Sequence, residues 1–570
     1  MAEYRSGSLI WTRVEANMIG RSIKTCIAIL SVALTHRAAE CQQVAPDLVL
    51  LNGKIFTSDI AQPYVQALAI RGDRIAATGD SAKIKALAGP HTRQIDLGGR
   101  TVIPGINDAH NHLGIAPPNQ IDLELTSPDP AWLEMKTAIA AAVLKAPKGA
   151  FINGSMAWKI FRNLAVDRDS LDQLAPDNPV ILQTFSNHAW IMNSAALAQA
   201  GIREDQPDPV GGRFERSPSG RLTGVIREYA VFNVERTFAD QTSDADALAE
   251  LRSSFSEALK WGITTIQDMS NDMPPQRCVA LLEKMPTPIR VRVMRMPGTT
   301  PAGRAIQEGR PAPLSSNPLI AVSGTKWMLD GTPVEGTFAP RDDPATVGDF
   351  VLHEQLTFPK DQLTSMLRES LHDHDQLMVH VSAYPPAAAM VEAMQSAGGQ
   401  QTWAQQRLRF EHGDGLTPDL IPRVKELGIV VVQNPSHLTV ANLNPDLNGI
   451  FETLKIQPLR SLLEAGIPVA LGSDGPTNPY LNIMFASLDP NRPSEAITRE
   501  QAVIAYTLTS AYAEFAEKEK GSLEVGKLAD LAVLSQDIFT VDVSQLPKTE
   551  SVLTMVGGKI VYDERVVPGR

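Results

Sequence analysis

His110 and His112 stand two residues apart at the end of an apolar run, PGINDAHNH. On an extended strand, positions i and i+2 share a face, so both imidazoles can reach one cation. Read alone, a His-x-His pair is equally well two solvated or core histidines. The rest of the chain decides. His380 sits at the end of LMVH, His412 at the end of LRFEH, and Asp474 ends PVALGSD, with Gly475 and Pro476 making the turn behind it. Four imidazoles and a carboxylate at strand ends are a donor set for Zn²⁺, with Mn²⁺ or Fe²⁺ as alternatives, and the chemistry such a set supports is hydrolysis.

The elements that must position these residues follow from the pattern around them. Apolar, β-branched runs alternate with amphipathic stretches, as expected for βα units around a parallel sheet. Asp268, Lys326, His380, His412, Gln433 and Asp474 are candidate strand ends, and from His380 onward their spacings of 32, 21 and 41 residues bracket one βα unit. The expected fold is therefore an α/β, TIM-like (β/α)₈ barrel, which carries its chemistry at the C-terminal ends of its strands. Residues 46–105 and 521–565 share a short-strand, Gly-punctuated texture, in DLVLLNGKIFT and AIRGDRIAATGD at one end and KLADLAVLSQD and SVLTMVGGKIVYD at the other. They are expected to form one discontinuous β-sandwich, with the barrel spanning 106–520. Within the barrel, about 113–260, including GGRFERSPSGRLTG, is too long for one loop and reads as an inserted lobe.

The 570 residues carry a net charge of −12. That acidity opposes nucleic acid and anionic lipid and favours a small-molecule substrate. Self-association into a homo-oligomer is left open. Cys26 and Cys41 lie in the first 41 residues, leaving Cys278 alone in the body, so a processed chain has no intrachain disulfide. From Met18, a basic stretch followed by CIAILSVAL reads as a signal peptide within a leader of 1–41, too short to span a bilayer. Export to the periplasm or medium is the expectation, with no stable membrane association once the leader is removed. A mis-assigned start and a cytoplasmic product is the alternative.

At these residues the sequence resembles the amidohydrolase superfamily, and within it the YtcJ-like, amidohydrolase-3 group. LVLLNGKIFT, GGRTVIPGINDAHNH, NHAWIMNSAAL, WGITTIQDM, KWMLDGT, LRFEHGD, LGSDGP and GSLEVGKLADLAVL occur in the family's order. The resemblance implies that His110 and His112 hold one metal with Asp474, that His380 and His412 hold a second, and that Lys326, carboxylated by CO₂, bridges the pair. A lysine amine repels metals, whereas its carbamate is an anion with two oxygens. An unmodified Lys326 would be an ordinary ion-pair partner, and the site would then hold one metal. His188 and His437 match substrate-lining positions in the group, or else are structural histidines. Asp330 and Gly331 are expected to shape a turn. The chain departs from its relatives after His380, where it reads Val-Ser-Ala-Tyr-Pro-Pro in a loop expected to border the substrate.

The implied activity is cleavage of a C–N bond, a linear amide or N-acyl bond, through attack by metal-activated hydroxide with Asp474 shuttling the proton to the leaving nitrogen. Deamination or cyclic-amide hydrolysis is the first alternative and ester or lactone hydrolysis the second. A barrel that only binds is the last, because buried ligands without metal are costly unpaired groups.

Overall fold

The computed structural model describes residues 44–342, 347–439 and 456–564. The expected leader, 1–41, lies outside the described residues. At the centre, eight strands run parallel in sequential order: β1 (Ile106–Asn111), β2 (Ile263–Ser270), β3 (Arg290–Arg295), β4 (Ile320–Met328), β5 (Leu377–Val381), β6 (Arg409–His412), β7 (Val430–Gln433) and β8 (Val469–Leu471). Each is buried over most of its length, which is why the sequence shows near-continuous apolar runs there.

The ends of this sheet meet where the chemistry is expected. The Ser473 amide donates to Asp108 Oδ1 at 2.8 Å, and the Asp474 amide donates to the His110 carbonyl at 3.0 Å. Gly472 makes this approach feasible, since a Cβ there would stand 2.5 Å from the His110 nitrogen. The barrel is therefore almost closed, with His110 and Asp474 at the seam.

Helices alternate with the strands except between β3 and β4. There the Pro-rich stretch 296–319 forms only a small ribbon, Thr299–Thr300 with Gly303–Arg304, among the described residues. The terminal segments do fold together. Thr101–Pro104 pairs antiparallel with Leu531–Leu534, and two sheets of four and six strands enclose a core that includes Leu50, Leu68, Val102, Leu531 and Leu553.

The lobe carries its own six-stranded sheet, in which Gly212–Arg216 and Leu222–Glu228 form a hairpin that turns within GGRFERSPSGRLTG. It ends earlier than 260. Helix Asp244–Lys260, capped by Ser243, packs on β2 and on the C-terminal hairpin Ser551–Val556/Lys559–Asp563, so it is a barrel helix. Its buried stripe of Ala247, Leu251, Phe255, Ala258 and Leu259 repeats at helical spacing against the barrel wall. No helix among the described residues is long and apolar enough to cross a membrane.

Candidate active site

All eight candidate metal and substrate residues read from the sequence line one cavity of about 580 Å³ at the C-terminal mouth of the barrel. β1 delivers His110, with His112 just past its end, β4 delivers Lys326, β5 His380 and β6 His412, while Asp474 follows β8. His412 and Asp474 both have positive φ, 70° and 42°. Non-glycine residues seldom adopt this conformation, and here it sits where the strand ends must turn their side chains toward the centre.

Asp474 is the hub. Its Oδ1 lies 3.2 Å from His112 Nε2 and 3.5 Å from His110 Nε2, and its Oδ2 lies 3.5 Å from His437 Nε2 and 3.7 Å from His412 Nε2. Potential ligand atoms of His110, His412 and Asp474 all fall within 4.8 Å of one another. Lys326 Nζ, fully buried, is 3.1 Å from His110 Nε2. His437 comes from the 3₁₀ turn Pro435–Thr439, and His188 comes from the lobe, its ring centre 4.9 Å from that of His380.

The opposite nitrogen of each candidate ligand is tied to an acceptor. Nδ1 of His110 meets Glu411 at 2.7 Å, that of His112 meets the Met269 carbonyl at 2.9 Å and Asn271 Oδ1 at 2.8 Å, that of His380 meets Asp330 at 2.7 Å, and that of His412 meets Asn434 Oδ1 at 2.9 Å. An acceptor on Nδ1 places the proton there and leaves Nε2 with a free lone pair, as a metal ligand requires. The donor set therefore fits a divalent metal.

The electrostatics agree for His110, His380 and His412 but not for His112, where burial is outweighed by the contact with Asp474 and the imidazole is raised. Burial pushes His110 down to about 4, with the Lys326 cation adding to it, and burial drives His380 and His412 well below the usual histidine range. These imidazoles are neutral near pH 7. Burial likewise lowers Lys326 to about 8. For Asp474, burial alone would raise the carboxyl, but His110 and its neighbours hold it well below the usual range, so it is a carboxylate.

The Amidohydrolase family profile matches residues 93–562. The chain belongs to the amidohydrolase family, in its amidohydrolase-3 group. It is a metal-dependent hydrolase of carbon–nitrogen bonds. It is 28% identical over 545 residues to the N-substituted formamide deformylase of Arthrobacter pascens, covering 91% of this chain and 98% of that one. It is 30% identical over 558 residues to Protein LONG AFTER FAR-RED 3 of Arabidopsis thaliana, covering 91% and 92%. To the putative amidohydrolase YtcJ of Bacillus subtilis (strain 168) it is 26% identical over 554 residues, covering 90% and 99%. Its fold is shared with an uncharacterised metal-dependent hydrolase from Pyrococcus horikoshii, at a TM-score of 0.64, 18% identity, and coverage of 87% and 99%.

Within this amidohydrolase site, several residues escaped the sequence reading. Asp330 does not merely shape a turn: beyond its contact with His380, its Oδ2 accepts from the amides of Ser382 and Ala383 at 2.8 Å each. Glu411 and Asn434, which hold His110 and His412, were visible only as neighbours of the strand ends. Glu228 holds His188 Nδ1 at 2.9 Å from a backbone with φ 52°. Two expected strand ends do not join the lining. Asp268 accepts from the Leu113 amide at 2.9 Å, and Gln433 is buried in the barrel. The divergent loop after His380 begins helix Tyr384–Ala397. Ser382 lines the cavity, whereas the Tyr384 hydroxyl donates to Asp419.

Proposed function

We propose that this hydrolase cleaves the C–N bond of a linear amide or N-acyl compound, with His110, His112, Lys326, His380, His412 and Asp474 holding one or two divalent metals, zinc first among them. The observation that carries this reading is the convergence of four imidazole Nε2 atoms on one carboxylate, Asp474, within 3.7 Å. A divalent metal bound there polarises an amide carbonyl and lowers the pKa of water. Lys326, as a carbamate, would help hold the metal. Its amine attacks CO₂ as the neutral form, losing a proton to give an anionic carbamate, and its lowered pKa makes that form more abundant near neutrality.

The protein's own groups do the rest. Asp474 accepts the proton of the attacking water and delivers it to the nitrogen as the C–N bond breaks, because an unprotonated amide nitrogen is a very poor leaving group. The new C–O bond gives the acid and the broken C–N bond the amine. His188 stands beside His380 and His437 beside His412, and they would hold the carbonyl and its substituents. Phe232, Met296, Met328 and Val334 give the cavity an apolar wall for the remainder of the substrate.

An open-chain amide is favoured over a cyclic one by the similarity, over nearly the full length, to an N-substituted formamide deformylase. A panel of formamides, N-acyl amino acids, aryl amides, cyclic amides and lactones tests this. Turnover of open-chain amides is expected. Turnover confined to cyclic amides, amino-heterocycles or lactones would overturn it.

A further inference from the structure

The four candidate ligand imidazoles, of His110, His112, His380 and His412, are not held alike. The side chains of His110, His380 and His412 are 0–3% exposed and fixed by packing, whereas that of His112 is 32% exposed. Its orientation therefore depends on the hydrogen bonds that Nδ1 donates, to the Met269 carbonyl and to Asn271 Oδ1.

Asn271 follows β2, but what fixes it comes from the lobe. Two consecutive residues of the lobe helix Tyr229–Ala239 hold it at both ends. Its Nδ2 donates to Glu235 Oε2 at 2.5 Å, and its backbone carbonyl accepts from Arg236 Nε at 2.7 Å. Glu235 is steadied by Asn187 Nδ2 at 2.6 Å, and Arg236 reaches Glu308 at 2.5 Å and the Met296 carbonyl. A carboxylate accepts and does not donate, so Glu235 obliges Asn271 to turn Nδ2 toward it and Oδ1 toward His112. Glu228, the last residue of strand Leu222–Glu228 and immediately before this helix, meets His188 beside His380. The lobe thus reaches both sides of the candidate ligand set.

We propose that Glu235 is a positioning residue for His112: acting through Asn271, the inserted lobe aims the most exposed imidazole of the site at the metal, which makes the lobe part of the metal centre. The proposal rests on the reading of these residues as a metal site.

The test strips the full-length protein of metal and titrates it with Co²⁺, following visible absorption and competition with a chelator, while thermal midpoints report folding. Glu235→Ala and Asn271→Ala should each weaken Co²⁺ binding by roughly 10-fold or more, the scale of lost outer partners. The double variant should be no weaker than the worse single variant. Glu235→Gln should fall between wild type and Glu235→Ala, since its carboxamide can accept from Asn271 but no longer obliges the amide to face it. Wild-type affinity in folded Glu235→Ala, or losses that simply multiply in the double variant, would overturn the proposal. Should Glu235→Ala fail to fold, Asn271→Ala at wild-type affinity would overturn it equally. Failure of the wild-type protein to bind Co²⁺ would instead remove the metal reading beneath it.

Discussion

Nδ1 of His110 lies 2.7 Å from Oε2 of Glu411, with both side chains fully buried. Arg409 grips the same carboxylate, its Nε donating to Oε1 at 2.8 Å and its Nη2 to Oε2 at 3.1 Å, while Nη1 donates to Gln267 at 2.7 Å. Burial alone would raise Glu411, yet the Arg409 charge and His110 bring it to about 2. An ionised acceptor thus keeps the His110 proton on Nδ1.

Glu411→Gln should therefore damage two things at once. A carboxamide can donate as well as accept, so the Nδ1 proton is no longer enforced and metal affinity should fall by about 10- to 100-fold. Arg409 loses its counter-charge in a buried site, a change that costs on the order of 3–5 kcal/mol. Metal content after dialysis and the thermal midpoint read the two effects separately. A variant with unchanged metal affinity would show that Glu411 serves only Arg409.

The candidate ligands were legible as a set because each stands at or just past the end of an apolar strand, a local pattern. Their supports were not, since Glu411, Asp330, Asn434 and Asn271 meet their histidines only when the barrel closes. One signal was available: Arg409 and Glu411 stand i and i+2 in a strand with all four residues buried, so they share the inner face and must pair there. The sandwich could be read from both ends of the chain because short strands between turns leave a local mark. The lobe's end could not, because helix Asp244–Lys260 looks the same whether it packs on lobe or barrel.

Carboxylation of Lys326 predicts a carbonyl signal that belongs to one residue. Metal-loaded protein equilibrated with ¹³C-bicarbonate should show a carbamate resonance by NMR, absent from Lys326→Met, which should also lose most of its metal. No such resonance in active, fully metallated protein would leave Lys326 as a plain amine and remove it from the proposed ligands.

A buried carboxyl beside the site makes stability depend on pH. Burial, reinforced by Glu235 and Asp268, pushes Asp272 up to about 8, while its Oδ2 accepts from the Ile115 amide at 2.7 Å. The folded pKa exceeds the unfolded value near 3.9, so the folded state binds the extra proton. Its contribution is complete below pH 4 and is lost as pH rises toward 8, at about 1.4 kcal/mol per pH unit at most. Asp272→Asn keeps an acceptor for Ile115 without this loss. Its thermal midpoint relative to wild type should therefore climb between pH 5 and 8. A difference that stays flat across that range would show that Asp272 is ionised throughout.

The proposed mechanism gives Asp474 two separable duties, coordination and proton transfer, and Asp474→Asn splits them. Asparagine keeps the size and one oxygen donor but lacks the basic site, so metal should largely remain while amide kcat falls by about 10² or more, the scale of losing general acid–base help. The defect should shrink for an activated aryl ester, whose leaving oxygen needs little protonation. His110→Ala provides the contrast: it removes a ligand, so metal and both activities should fall together. The Asp474→Asn carboxamide must still face His112 and His437 across 3.2 and 3.5 Å, so the metal content of each preparation has to be measured beside its kinetics. Near-normal amide turnover by a fully metallated Asp474→Asn enzyme would move the proton shuttle to another group, and His437, on the other side of the same carboxylate, would be the next residue to replace.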